Sequence, residues 1–129
     1  MKGQISVEFI TFFGVILLLL SLASYAAITS TRDIIADNEA TDARRIASTI
    51  AYEINIAVEI GPGYSHKFYL PLLLYGNSNY SVNLLENRFV YVLWKNKSYS
   101  LLVLAENITD GVKKGSNTIR NINGVIVFD

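Results

Sequence analysis

The sequence predicts an α+β fold, with one long N-terminal helix, apolar in its first half and amphipathic in its second, packed on a small antiparallel β-sheet domain. Three observations predict it. Residues 9–31 carry no charged side chain. Residues 32–60 contain neither Gly nor Pro and repeat apolar residues at spacings of three and four. From Gly61-Pro62-Gly63 onward, the pattern changes to short β-like runs separated by turn residues. A chain of 129 residues, 51% of them hydrophobic, has room for one compact domain and one extended element, which suits this division.

The first element is the run Phe9 to Thr31, 23 residues that at about 1.5 Å per residue make roughly 34 Å of helix, enough to cross a bilayer. Its densest part, Phe9 to Leu20, also fits a secretory signal, and Ser21-Leu22-Ala23 and Ser24-Tyr25-Ala26 place small residues where a signal peptidase cuts. Two features favour a retained helix: the basic region is a single Lys2, and the acid Glu8 lies directly against the apolar run. Beyond Thr31 nothing breaks the helix. Ala43, Ile46, Ala47, Ile50, Ala51, Ile54, Ala57 and Val58 mark one buried stripe on an otherwise polar stretch of helix. Ile5 to Ile60 is thus expected to be one helix of roughly 84 Å, with Gly14 as a possible notch or kink. The acids Asp33, Asp37, Glu39 and Asp42 ahead of Arg44 and Arg45 read as a solvated face, with Asp42 and Arg45 an i, i+3 pair.

Residues 64–129 form the expected β domain. Strands are predicted at Lys67 to Tyr75, Tyr80 to Leu85, Arg88 to Lys95, Ser98 to Leu104, Asn117 to Ile122 and Val125 to Phe128. Turns fall at Gly76-Asn77, Glu86-Asn87, Asn96-Lys97, Gly111, Gly115 and Asn123-Gly124. Pro71 places its run at a sheet edge or interrupts it. A single small sheet is expected to cover the Ile46 to Ile54 stripe, supplying a core that neither element makes alone. Alternation puts Phe89, Tyr91 and Leu93 on one face of the third strand and Val90, Val92 and Trp94 on the other. With both faces apolar, contact with a neighbouring subunit is expected, and the many aromatics read as cross-strand packing rather than a sugar-stacking surface.

Composition narrows the chemistry. Eleven Lys and Arg balance eleven Asp and Glu, so no bulk field attracts nucleic acid. With no Cys and a single histidine, His66, thiolate and imidazole metal sites, iron-sulfur clusters and nucleophile-His-acid constellations are not expected. His66 reads as a solvated loop or strand-start residue. No Gly-rich phosphate loop is present. Neither catalytic residues, a metal nor a cofactor is expected, and the chain is not read as an enzyme. Three sequons, at Asn79, Asn96 and Asn107, are candidate N-glycan acceptors on a translocated domain, Asn96 the best placed because it falls at a hairpin tip.

A carboxylate carried into hydrocarbon costs about 2.5–3.5 kcal/mol on insertion scales, so Glu8 needs a cation. A cut between Gly3 and Gln4 creates one: the new α-amine of Gln4 is positively charged at neutral pH and, at the tip of one helix, can pair with Glu8 of a staggered neighbour. Such a pair specifies register more than it supplies net stability.

Gly3 followed by Gln4-Ile5-Ser6-Val7-Glu8-Phe9 and an apolar helix resembles the class III signal peptide of archaeal type IV pilins. The Asn-rich ending from Asn107 resembles, much more weakly, the β-domain tails of small members of that family. The resemblance implies a leader of residues 1–3, removed before Gln4 by a membrane prepilin peptidase, and a helix, residues 4–60, whose half at about 5–31 sits first in membrane lipid and then in a filament core. It implies Glu8 as the acid that neutralises a neighbour's terminal amine. It implies as partners further copies of the chain in a helical homopolymer, the peptidase, and an assembly ATPase with its membrane platform. The expected precursor has its N-terminus in the cytoplasm and its β domain outside, and the mature form lies in an extracellular, glycosylated surface filament for adhesion. The alternative is a small secreted or membrane-anchored binding domain that does not polymerise.

Overall fold

A computed structural model describes residues 2–86, 88–109 and 111–129. The chain is α+β: helix α1 (Lys2–Ile60) is followed by β1 (Ser65–Leu70), a 3₁₀ turn (Tyr75–Asn77), β2 (Tyr80–Leu85), β3 (Phe89–Trp94), β4 (Lys97–Leu102), β5 (Gly115–Ile122) and β6 (Val125–Phe128). The helix runs without interruption through Gly14, around which lies open space. The chain divides into two compact units, the first ending at Ala36 and the second Asp37–Asp129.

In the second unit the strands form two three-stranded antiparallel sheets, β1-β5-β6 and β2-β3-β4, rather than the single sheet expected. Connection length explains the division. The meander β2-β3-β4 is joined by tight turns, and its central pairs Val82–Val92 and Val92–Tyr99 lie directly opposite one another. Long connections flank it, from Leu70 to Tyr80 and from Leu102 to Gly115. They release β1 to pair with β5 far along the chain, Ser65 opposite Arg120 and Leu70 opposite Gly115.

The strand limits depart from expectation where backbone chemistry intervenes. The first strand stops at Leu70 because Pro71, lacking an amide hydrogen, cannot extend the ladder. β1 is also an edge strand, so both readings of Pro71 hold. The β3–β4 turn is Lys95-Asn96, one residue earlier than expected, with Lys95 at φ 50°. Gly115 opens β5 rather than lying in a turn. Asn87, in the expected turn after β2, lies outside the described residues.

The core joins residues 43–58 of α1 to both sheets. Ala43, Ile46, Ala47, Ile50, Ala51, Ile54 and Ala57 are buried, with Val58 partly so. Val90, Val92 and Trp94 face them from β3, and Leu70, Ile119, Ile126 and Phe128 from the other sheet. Phe68 meets Phe128 edge-on at 6.2 Å between ring centres. The helix ends at Gly61, whose φ of 89° suits a residue without Cβ. There the carbonyl of Ala57 accepts from the Gly61 amide at 3.2 Å and from the Asn121 side-chain amide at 2.8 Å.

Candidate functional site

The sequence-singled residues of the N-terminal motif lie at the start of α1. Every residue from Gly3 to Ile34 is exposed, including Phe9, Ile10, Phe12, Phe13 and Leu17 to Leu20. Phe9 and Phe13, one turn apart, stack with ring centres 6.2 Å apart. Four hydroxyls of this stretch are satisfied by their own helix. Thr11 donates to the Val7 carbonyl (2.8 Å), Ser21 to Leu17 (2.8 Å), Thr29 to Tyr25 (3.0 Å) and Thr31 to Ala27 (2.9 Å). Each bond removes a hydroxyl's need for water, which is what a helix in hydrocarbon requires. α1 is long and apolar enough to cross a membrane, and none of its most apolar window is buried in the protein. Glu8 is exposed, and among the described residues no side chain pairs with it. Gly3 and Gln4 lie within the helix one turn ahead of it.

The three sequon residues are all exposed but differ in what holds them. Asn79 is engaged, its side-chain oxygen accepting from the Tyr80 amide at 3.1 Å and from the Lys114 ammonium. Asn96 stands at the β3–β4 turn, and Asn107 follows β4 in the segment that pairs by backbone with Ile126.

Polar groups that sequence reasoning set aside turn out to join the helix to the loops. Glu39, expected on a solvated face, is 2% exposed. It accepts hydrogen bonds from the Lys95 ammonium at 2.7 Å and from the Ser78 hydroxyl. The Lys95 bond first, then that from Ser78, holds its carboxyl below the ordinary value, outweighing the opposing effect of burial. Glu53, 7% exposed, binds His66 Nδ1 at 2.9 Å, so His66 is a strand residue with a partner rather than merely solvated. Burial, and next the nearby Glu53 charge, raises the Tyr64 phenol above its usual range. Asp42 accepts from the Tyr75 amide at 2.9 Å and lies 4.0 Å from Arg45, the i, i+3 pair expected. Asn55 accepts from the Leu104 amide at 2.9 Å. Tyr80 donates its hydroxyl to the Pro71 carbonyl, and burial pushes its phenol up to about 12.

A sequence signal for the two buried acids did exist. Glu39 lies four residues before Ala43, and Glu53 three after Ile50, so both sit at the spacing of the buried stripe. Among the described residues no group of three His, Asp or Glu side chains is placed to hold a metal ion.

The fold and this site define an α+β protein with an N-terminal helix capable of crossing a membrane. No family model, curated protein or solved structure matches the chain.

Proposed function

We propose that this chain is the precursor of a structural subunit of an archaeal type IV pilus-like surface filament, cleaved after Gly3 and polymerised through the apolar half of α1. One observation carries the reading: the order Gly3-Gln4-Ile5-Ser6-Val7-Glu8-Phe9 stands directly before an apolar helix stretch that buries nothing within its own chain. So much exposed apolar surface needs lipid or other copies of itself. The lone acid at its start needs a cation, which the freed amine of Gln4 on an adjacent subunit supplies.

In this reading the precursor waits in the membrane with Lys2 on the cytoplasmic side and the second unit outside. An assembly ATPase and its platform then lift the helix from lipid into the filament core. Asn96 and Asn107, exposed on the second unit, are the sequon residues freest to carry glycans, and surface adhesion is the role proposed for the filament.

Intact mass of the protein recovered from cell envelopes tests the processing step. Loss of Met1 to Gly3 alone is expected, whereas loss through Ala23 or Ala26 would convert the protein to a secreted module and overturn the proposal. Electron microscopy of cell-surface filaments, with labelling against the second unit, is expected to decorate filaments. A properly cleaved protein that remains wholly in the membrane would make it an anchor.

A further inference from the structure

We propose that the Asn123-Gly124 turn is a self-modification site, an asparagine placed to lose ammonia to its own backbone, and that Asn121 is the residue that holds it unreacted. Every part of this site lies in the second unit, so the inference is independent of the filament reading.

The shape of the turn dictates its chemistry. β5 and β6 are joined by only two residues, Ile122 lying opposite Val125, and such a connection needs positive φ at both central positions, which Asn and Gly adopt most readily. Asn123 has φ 53° and Gly124 φ 90°. That requirement brings in the most reactive pairing an asparagine can have, because a following glycine leaves its backbone nitrogen unshielded by a side chain. Of the eleven asparagines, only Asn123 precedes a glycine. Both turn residues are exposed, with open space where a Gly124 side chain would lie, so water and base reach this peptide bond.

In the reaction the Gly124 nitrogen gives up its proton and attacks Asn123 Cγ. A ring C–N bond forms, the side chain's own bond from carbon to its amide nitrogen breaks, and ammonia leaves with the proton. Water then opens the cyclic imide at either carbonyl, leaving aspartate or an isoaspartate whose backbone is longer by a carbon. The longer backbone does not fit a two-residue turn, and the strand it would displace, β6, carries the buried Ile126 and Phe128 into the core.

The step begins with loss of the Gly124 amide proton, and that proton is held. It is donated to Asn121 Oδ1 at 2.9 Å. Asn121 is itself fixed, 4% exposed, with each of its polar groups used. Its Nδ2 donates to the Ala57 carbonyl at 2.8 Å, its amide to the Tyr64 carbonyl at 3.0 Å, and its carbonyl accepts from the Gly63 amide at 2.9 Å. The bond to Ala57 determines that the oxygen end of the side chain faces the turn. Deprotonated, the Gly124 nitrogen would point its new charge at the Asn121 oxygen, so the bond makes the proton harder to remove. It also aims the nitrogen at Asn121 instead of at Asn123 Cγ.

Full-length protein in mild detergent, incubated in mildly alkaline buffer, provides the test. Trypsin, cutting after Arg120, releases residues 121–129 for tandem mass spectrometry. Conversion of Asn123 to the acid is expected to be several-fold slower in the folded wild type than in the same chain unfolded by urea, and Asn121→Ala is expected to restore most of the unfolded rate. Ile50→Val, which loosens the core about two helical turns before Ala57, controls for general opening and should stay slow. Wild type that converts as fast as the unfolded chain would overturn the proposal. So would an Asn121→Ala variant that is folded by tryptophan emission yet converts as slowly as wild type, or equal conversion in Asn121→Ala and Ile50→Val. Should Asn121→Ala fail to fold, hydrogen exchange of the wild-type Gly124 amide decides: exchange several-fold slower than in the unfolded chain supports the guard, and exchange at the unfolded rate overturns it.

Discussion

Residues 3–34 and residues 37–60 belong to one helix, yet their side chains meet different surroundings. In the first stretch all side chains are exposed, and the hydroxyls of Thr11, Ser21, Thr29 and Thr31 turn back to their own backbone. In the second, the Thr41 and Thr49 hydroxyls also turn back to their own backbone, but Ala43 to Ala57 bury a stripe and other polar residues reach outward: Glu39 to Ser78 and Lys95, Asp42 to the Tyr75 amide, Asn55 to the Leu104 amide. A helix suited to hydrocarbon must satisfy its polar groups internally. A helix that serves as a domain's core instead uses its polar groups to capture loops. The difference shows that secondary structure alone says little about the solvent for which a helix is built.

The contrast is sharpest in the response to truncation of an apolar side chain. Ile50→Ala removes a fully buried side chain and is expected to lower the unfolding free energy by about 2–5 kcal/mol. Leu18→Ala, at an exposed position of the first stretch, is expected to leave the same transition within about 0.5 kcal/mol. Denaturant unfolding in mild detergent, followed by emission of the sole tryptophan, the buried Trp94, checks both. Equal losses would mean that the two halves are not distinct.

Glu39→Gln comes next. It deletes a charge-assisted hydrogen bond to a lysine that is itself 61% exposed, so the expected loss is about 1–3 kcal/mol. Because the folded carboxyl titrates below its ordinary value of 4.5, its contribution is present above that pH and is lost as pH falls through the folded value. Acid titration of stability is therefore expected to be shallower in the Gln variant. An unchanged acid slope would remove Glu39 from the account.

A smaller effect, about 0.5–1.5 kcal/mol, is expected for Tyr80→Phe, which loses the hydrogen bond to the Pro71 carbonyl. Here the linkage has the opposite sign. The phenol is raised to about 12 from 10.0, so its contribution is complete below pH 10 and disappears as pH rises toward 12. Alkaline unfolding should begin later in the Phe variant, measured relative to its own stability at neutral pH. Smallest of all is Arg45→Ala. Its pair with Asp42 is long and exposed at the Arg end, 76%, and a change within about 0.5 kcal/mol is expected by thermal unfolding.

Much of this contrast was legible before the structure. The 3.6-residue period of Ala and Ile from Ala43 onward named the buried stripe, and Gly61-Pro62-Gly63 named the end of the helix, because both signals are local. The strands were legible from turn residues and alternation, since those features also act over a few residues. The division into two sheets was not, because alternation assigns a side chain to a face and leaves the partner of Ser65 or Leu70 open. Pairing of β1 with β5 depends on long-range packing. Glu39 was misread for a related reason: its partners Ser78 and Lys95 lie far along the chain, and acids near arginines read locally as a wet surface. The Gly3 to Glu8 motif was legible as a pattern, but its proposed partner belongs to another copy of the chain.

The filament reading turns on Glu8, and Glu8→Gln tests it most directly. Membrane insertion should be intact or slightly easier, since a charge costing about 2.5–3.5 kcal/mol in lipid is removed, and cleavage after Gly3 should proceed. Filament yield, scored by electron microscopy alongside the amount of cleaved protein in the membrane, should fall sharply. Each incoming Gln4 amine would enter an apolar core unpaired, at a cost of about 3–5 kcal/mol for one broken side of a buried pair. Wild-type filament yield from the cleaved Gln variant would contradict the account.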